Sequence, residues 1–334
     1  MDAIAFLVGP YSIYWSTVIQ AMAALTGVLL FWFFYLWDER DCVGAFCVVP
    51  LAIAGAVVLG RLVHWYFRQD SYLSLVSALT DYSYGGFALM GCFAGVFLAA
   101  AMLALLRRGR HFGAMLDALS VAGAGAVGIG RLSGFCNTAD RGQILLNPSF
   151  WGTQLVNPGT GASEYRLATF LLQAAAAGVI FLVLTFLFFW RRGGHRRKPG
   201  DIFWLFCLYY GASQAVLDST RYDSLYFRSN GFVSVVQIAC IGAIVLSLSV
   251  FFIRYRRANG WLPGGMAVLF SSAVLLAGGG WMEYYVQRHG NQAVFAYSVM
   301  SSCMLGIAVL GTILWYIARM REIPRSLPTI YPTL

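Results

Sequence analysis

Hydrophobic residues occur along the chain in runs that are separated by short segments holding most of the charged side chains. A run of about 20 apolar residues is long enough to cross a bilayer as a helix. The runs lack the alternation of apolar and polar residues that is typical of outer-membrane barrel strands. The predicted fold class is therefore an all-α polytopic membrane protein, a bundle of about nine transmembrane helices. The predicted spans are residues 11–36, 43–66, 85–106, 114–135, 165–190, 201–219, 232–253, 266–284 and 295–318.

Composition supports a membrane location and limits the chemistry. Of the 334 residues, 59% are hydrophobic and 11% are charged, whereas a soluble domain carries about 25% charged residues. The seven cysteines form no CxxC pair and mostly lie within the apolar runs, so we interpret them as small core residues. We expect no metal and no cofactor. We also expect no cleavable signal peptide, because Asp2 stands where a basic segment would be.

Basic residues cluster in alternate loops, after the third, fifth, seventh and ninth predicted spans. Positive charge beside a span marks the cytoplasmic side of the membrane. The pattern predicts an N-terminus outside and a C-terminus in the cytoplasm, and it assigns the net charge of +9 to topology and not to nucleic-acid binding. These residues are Arg107, Arg108, Arg110, Arg191, Arg192, Arg196, Arg197, Lys198, Arg254, Arg256, Arg257, Arg319, Arg321 and Arg325.

Several polar side chains are predicted to lie at one depth, near the outer ends of their spans. They are Arg61 and His64 on the second span, Arg131 on the fourth, and Gln214, Asp218 and Arg221 on the sixth. An arginine inside a span is costly and marks a site by default. The pattern predicts a cationic pocket, walled by glycine-rich helices and suited to the phosphate of a phospholipid. Equally open is an internal network in which Asp218 and Arg221 neutralise each other or Arg131.

The end of the fourth span carries a recognisable motif. Residues 128–137 read GIGRLSGFCN and resemble the GxGRxGNFxNxE signature of the prolipoprotein diacylglyceryl transferase family. Upstream, residues 85–96 read GGFALMGCFAGV and align without gaps with the family's GGMSFHGGLIGV segment. Gly60 and Arg61 resemble the family's second-span GGR, and Asp117 falls at a family aspartate.

The resemblance continues downstream. Residues 198–200 (KPG) and the Tyr210–Gly211 pair lead into residues 214–221, QAVLDSTR, which resemble the family's RxxxExxR segment. The resemblance covers residues from about 8 to 257 and implies a seven-helix body over 1–257. Residues 258–334 are then an extra C-terminal transmembrane hairpin with a cytoplasmic tail.

The chain departs from the family pattern at several motif positions. Met90 stands at the histidine of HGG, Gly134 at the asparagine of GNF, and Gln214 at the first arginine of RxxxExxR. Ala139 stands at the acid of NxE, with Asp140 one place later, and Asp218 replaces a longer glutamate. The departures favour a non-catalytic relative or a changed reaction.

The resemblance implies a bacterial plasma-membrane enzyme that transfers a diacylglyceryl group from phosphatidylglycerol to the cysteine thiol of a lipobox in a prolipoprotein. Arg131, with Arg61 or Arg221, would stabilise the leaving phosphate, and Asn137 and Gln214 would join them in binding the lipid.

The implied reaction also needs a base, because the attacking thiol must lose its proton. His64 and Asp218 are the candidates, but pairing with arginine would weaken Asp218 as a base. Two other classes stay open, an inactive relative that binds phospholipid or acts as a scaffold, and a transporter. The transporter ranks last because no internal repeat is visible.

Overall fold

The structure is a computed structural model that describes most of the chain. The described residues are 4–9, 11–80, 86–109, 111–137, 141–145, 151–156, 161–190, 198–227, 230–260, 263–289 and 292–322. Ala139 and Asp140, the loop arginines Arg110, Arg191, Arg192, Arg196 and Arg197, and Arg325 in the predicted tail lie outside these ranges.

Each of the nine predicted spans corresponds to a long helix. Among the described residues, eight helices are long and apolar enough to cross a membrane; α7, with 17 residues, is slightly shorter. A short helix, α3 (Leu75–Thr80), lies between the second and third long helices. The protein is therefore an all-α polytopic membrane protein, as predicted. The long helices are α1 (Trp15–Glu39), α2 (Cys42–Phe67), α4 (Leu89–Leu106), α5 (Phe112–Arg131), α6 (Thr169–Phe189), α7 (Asp201–Leu217), α8 (Val235–Asn259), α9 (Pro263–Arg288) and α10 (Ala293–Glu322).

Three two-stranded antiparallel hairpins accompany the helices, and the sequence did not predict them. They are β1 (Ile4–Val8) with β2 (Tyr11–Tyr14), β3 (Gly152–Val156) with β4 (Ser163–Leu167), and β5 (Tyr226–Phe227) with β6 (Asn230–Ser234). The predicted starts of three spans, at residues 11, 165 and 232, fall inside these strands. Because β2 and β6 hold apolar residues directly before a helix, hydropathy alone does not separate these two strands from the helices.

The two ends of the bundle differ in character. At one end, which we call the hairpin end, α5 and α7 end, Gly142 bridges to Arg221, and Gln143 contacts Tyr297 of α10. At the opposite end, which we call the basic end, Arg254 pairs with Asp201 and Arg107 pairs with Asp41. The hairpin end is the one that the charge pattern predicts to lie outside the cell.

Glycines allow a close helix contact between α2 and α4. A Cβ atom added at Gly95 would lie 2.1 Å from the carbonyl oxygen of Gly55, and one added at Gly91 would lie 2.5 Å from that of Leu59. Neither distance leaves room for a side chain, so the two backbones are in direct contact. This confirms the predicted role of the glycines on the third span.

The central helix is α5, which contacts α1, α6 and α7 and holds the largest share of buried residues among the eight helices that are long enough to cross a membrane. The C-terminal helices α9 and α10 form a hairpin, in which α10 packs against both α7 and α8. This C-terminal hairpin therefore lies directly against the helix that carries Gln214 and Asp218.

Candidate functional site

One face of α7 carries polar side chains into the interior of the bundle. Tyr210 and Gln214 lie one turn apart, and the Tyr210 hydroxyl is in hydrogen-bonding contact with Arg131 at the end of α5. Gln214 accepts a hydrogen bond of 3.0 Å from the amide of Gln173 on α6. Both glutamines are almost fully buried, with 2% and 0% exposure. The structure thus brings Arg131 against α7, the helix that carries Gln214, and both are predicted site residues.

Asp218 and Arg221 form an internal network at the end of the same face. The guanidinium of Arg221 lies 3.4 Å from one oxygen of Asp218 and 3.0 Å from an oxygen of Asp223. The other oxygen of Asp218, which is 1% exposed, accepts a hydrogen bond from the Ser234 hydroxyl. This arrangement matches the neutralising network that the sequence left open, and it offsets the positive charge of Arg221.

Arg61 is held by backbone carbonyls and a tyrosine hydroxyl. Its guanidinium donates 2.7 Å and 2.8 Å hydrogen bonds to the backbone carbonyls of Ala78 and Gly86, and a 3.2 Å bond to the Tyr72 hydroxyl. That hydroxyl also lies 2.8 Å from Nδ1 of His64. Arg61, at 1% exposure, therefore holds the segment that follows α2 against the bundle, and His64 belongs to the same cluster.

The glycine at position 86 is required by this cluster. Its φ of +85° is one that side chains rarely adopt, and an added Cβ would lie 2.5 Å from the His64 ring. The second glycine of the family's GG pair is thus explained here by backbone conformation and by the close approach of His64.

A cavity of about 280 Å³ opens at the hairpin end. Of the three arginines predicted to converge, only Arg221 lines it, so the convergence of Arg61, Arg131 and Arg221 in one cavity stays a prediction. The lining residues are Gln143, Ser219, Arg221, Tyr222, Tyr226, Glu283, Val286, Gln287 and Tyr297.

Arg141 is a buried arginine that the sequence analysis missed. It donates 3.0 Å hydrogen bonds to the backbone carbonyls of Gly134 and Asn137, contacts the Thr153 hydroxyl, and lies over the Phe170 ring. Burial lowers the pKa of its guanidinium. Arg141 fixes the turn after Arg131, and the structure places Asn137 in that turn. The sequence did carry a signal for this residue, because Arg141 is a second arginine only ten residues after Arg131.

The departure at Gly134 has a structural cause. A Cβ added there would lie 2.4 Å from Cγ of Phe170, which is fully buried. The Phe170 ring occupies the space that an asparagine at position 134 would need. Met90, at the family's histidine position, is the second residue of α4 and is partly buried. Ala139 and Asp140 lie outside the described residues.

Asp117, at a family aspartate position, has a structural role. Its carboxylate accepts hydrogen bonds of 3.0 Å from the backbone N–H of Gly200 and 2.9 Å from that of Phe203. These N–H groups lie at the start of α7 and have no partner within the helix, so Asp117 caps it. Within the described ranges, no three His, Cys, Asp or Glu side chains are close enough to hold a metal ion.

Comparison with known proteins agrees with the motifs. The family model described as prolipoprotein diacylglyceryl transferase matches residues 3–253. The chain is 27% identical over 269 residues to a phosphatidylglycerol–prolipoprotein diacylglyceryl transferase of Bacillus cereus, covering 78% of this chain and 94% of that protein. It is 28% identical over 278 residues to the protein of the same name from Streptococcus mutans, covering 79% and 98%. The chain belongs to the prolipoprotein diacylglyceryl transferase family, and it is a membrane transferase.

Proposed function

We propose that this protein transfers the diacylglyceryl group of phosphatidylglycerol to the cysteine thiol of a lipobox in a prolipoprotein. In this reaction a sulfur–carbon bond forms to the diacylglyceryl carbon while the carbon–oxygen bond to the phosphate breaks. The electron pair of the broken bond leaves with glycerol phosphate, and the thiol proton passes to a base. The names of the relatives support this substrate pair.

The observation that carries the proposal is the contact of Arg131 with Tyr210, which lies one turn before Gln214 on the buried polar face of α7. A guanidinium held in a site that excludes water stabilises charge that develops on a leaving phosphate. We assign this role to Arg131. Asn137 and Gln214 are proposed to contact the lipid, and Arg221 contributes at the edge of the site, where the cavity opens.

The base is proposed to be His64 rather than Asp218. Both oxygens of Asp218 are engaged, one by the Ser234 hydroxyl and the other by the Arg221 guanidinium. Through Nδ1, His64 lies 2.8 Å from the Tyr72 hydroxyl. We expect His64→Ala to reduce transfer more than Asp218→Asn reduces it, at equal amounts of folded protein.

A transfer assay tests the proposal. Purified protein receives phosphatidylglycerol and a lipobox peptide, and the mass of the peptide is followed. We expect a mass gain on the cysteine that is lost in Arg131→Ala and kept in Arg257→Ala, which removes an exposed arginine at the basic end. Absence of any gain in the wild-type protein, at saturating lipid and peptide, contradicts the proposal.

The second candidate is an inactive relative that binds phospholipid. Met90 favours it, because methionine cannot accept a proton at the position of the family's histidine. This candidate predicts no mass gain, together with phosphatidylglycerol binding that is lost in Arg131→Ala.

We also propose that the basic end faces the bacterial cytoplasm, which places the N-terminus outside and the C-terminus inside. The support is the clustering of arginines such as Arg107, Arg254 and Arg256 at this end. A cysteine introduced at Arg257 should be shielded from a membrane-impermeant thiol reagent in intact cells, and a cysteine introduced at Leu73 should be labelled. Labelling at position 257 with protection at position 73 would show the opposite topology, with the basic end outside.

A further inference from the structure

We propose that the cavity at the hairpin end binds the glycerol head group of phosphatidylglycerol, with Glu283 accepting hydrogen bonds from its hydroxyls. The inference rests on the proposed function and deepens it. It assigns to the C-terminal hairpin the recognition of the part of the donor lipid that leaves with the phosphate.

The cavity is built from two parts of the chain. Gln143, Ser219 and Arg221 come from the body that the family model covers, residues 3–253. Glu283 of α9 and Tyr297 of α10 come from the C-terminal hairpin, which lies beyond that match. The C-terminal hairpin therefore adds a wall to a cavity that also contains Arg221.

Glu283 is a buried carboxylate that can accept further hydrogen bonds. It is 6% exposed and lies near the end of α9. One carboxylate oxygen accepts a hydrogen bond of 3.1 Å from the Gln237 amide, and the other accepts one of 3.2 Å from the Gln287 amide. Each carboxylate oxygen has about two acceptor sites, so each can take one more donor. A hydroxyl that donates to a carboxylate forms a stronger hydrogen bond than one that donates to a neutral group.

Ser219 adds a second group that suits a ligand hydroxyl. Its side-chain oxygen is buried and has no hydrogen-bond partner among the described residues. Its backbone carbonyl accepts a 3.3 Å hydrogen bond from the Tyr297 hydroxyl, which in turn accepts one of 2.9 Å from the Gln143 amide. A buried hydroxyl without a partner is costly. A hydroxyl of the ligand offers both a donor and an acceptor, and so satisfies it.

Charge and size narrow the class of ligand. Among the described lining residues, Arg221 and Glu283 supply one charge of each sign, and the other polar groups are hydroxyls and amides. Such a lining suits a neutral group that carries hydroxyls, with its phosphate on the Arg221 side. Pockets for drug-sized ligands measure about 300–1,000 Å³, so a cavity of about 280 Å³ suits a small head group such as glycerol.

The test measures lipid binding by the full chain in detergent. Native mass spectrometry follows titrations with phosphatidylglycerol and with phosphatidylpropanol of matched acyl chains, which has the same charge and lacks both hydroxyls. We expect phosphatidylglycerol to bind roughly tenfold more tightly, the scale of one hydrogen bond to a charged group. In Glu283→Gln this ratio should fall to about threefold or less, and Ser219→Ala should lower it by about twofold. Glu39→Gln, which removes a carboxylate at the basic end, should leave the ratio unchanged.

A wild-type ratio near one overturns the inference, as does an unchanged ratio in folded Glu283→Gln. The wild-type ratio and Ser219→Ala decide even if Glu283→Gln does not fold. Phosphatidylethanolamine that binds more tightly than phosphatidylglycerol would show that Glu283 selects a cation, and would also overturn it.

Two further measurements separate this inference from its neighbours. Free glycerol phosphate should displace phosphatidylglycerol only weakly; displacement at equal concentration would assign the cavity to the free compound and overturn the assignment to the lipid. Transfer from phosphatidylglycerol to a lipobox peptide is measured on the same preparation. Transfer without the hydroxyl preference refutes this inference alone, and the preference without transfer refutes the proposed function while leaving the head-group assignment in place.

Discussion

Arg61 and Arg221 are the same residue type, are predicted at the same depth, and have opposite surroundings. Arg61 donates hydrogen bonds to two backbone carbonyls and a tyrosine hydroxyl, while Arg221 lies between two aspartates. The first arginine therefore organises a backbone segment, and the second belongs to a charge network that reaches a cavity. The comparison teaches that an intramembrane arginine acquires its role from its partners, which spacing along a helix does not reveal.

The largest effect is expected at Asp218. Asp218→Ala removes a carboxylate that is 1% exposed and lies 3.4 Å from the Arg221 guanidinium. Breaking a buried pair in this way costs about 3 kcal/mol of unfolding free energy. Denaturant unfolding in detergent measures it. In a double-mutant cycle, adding Arg221→Ala should cost less in the Asp218→Ala background than in wild type; additive effects would contradict the network.

A smaller loss is expected at Arg61. Arg61→Ala leaves the carbonyls of Ala78 and Gly86 without their donor, which costs about 2 kcal/mol. Amide hydrogen exchange should speed up in residues 69–80 and stay unchanged in α7. Arg61→Lys should not restore protection, because an ammonium lacks the planar fork of donors. Full rescue by lysine would mean that charge alone matters at this position.

The network of Arg221 should also respond to Ser234. The Ser234 hydroxyl donates to Asp218 and accepts from the backbone N–H of Gln237, which closes a capping box at the start of α8. Ser234→Ala should cost about 1 kcal/mol. Ser234→Thr keeps the hydroxyl and serves as the control. A loss as large as that of Asp218→Ala would indicate that Ser234, and not Arg221, is the main partner of Asp218.

The smallest effect is expected at the basic end, where Asp41 and Arg107 form a reference ion pair. The Arg107 guanidinium, together with the Gly44 N–H and the Tyr35 hydroxyl, holds the pKa of Asp41 at about 2, below its usual value of 3.8. Because the pKa of Asp41 is lower in the folded protein than in the unfolded chain, ionised Asp41 stabilises the fold at pH values above the unfolded pKa. This contribution to the free energy of unfolding is lost as the pH falls toward 2. Asp41→Asn should therefore lower the melting temperature at pH 7 and leave it unchanged near pH 2. A melting-temperature difference between Asp41→Asn and the wild-type protein that is the same at both pH values would contradict this account.

The fold could be predicted because the bilayer limits the alternatives. Each predicted span corresponds to a helix, since an apolar run of this length has few other conformations in a membrane. The predicted starts at residues 11, 165 and 232 were too early, because β2, β4 and β6 occupy these positions and the helices begin at Trp15, Thr169 and Val235. The extra helices α9 and α10 were also predicted, from hydropathy alone.

The site could be predicted only in part. The four-residue spacing on α7 placed Gln214 and Asp218 on one face, and the structure has them there. The partners of Arg61 lie 17 and 25 residues further along the chain, so no helical spacing indicates them. Glu283 was missed because the family resemblance ended before it. A carboxylate inside the span 266–284 was nevertheless a signal of a site.

The most direct test of the central claim is the initial rate of diacylglyceryl transfer by Arg131→Lys beside the wild-type protein. A lysine keeps the charge but cannot place the same donors against a phosphate and Tyr210 together. We expect the rate to fall by about 100-fold or more, the scale for losing one donor to a developing charge. The melting temperature should change by only a few degrees. A rate within about threefold of wild type would contradict the assignment of Arg131 as the phosphate-stabilising residue.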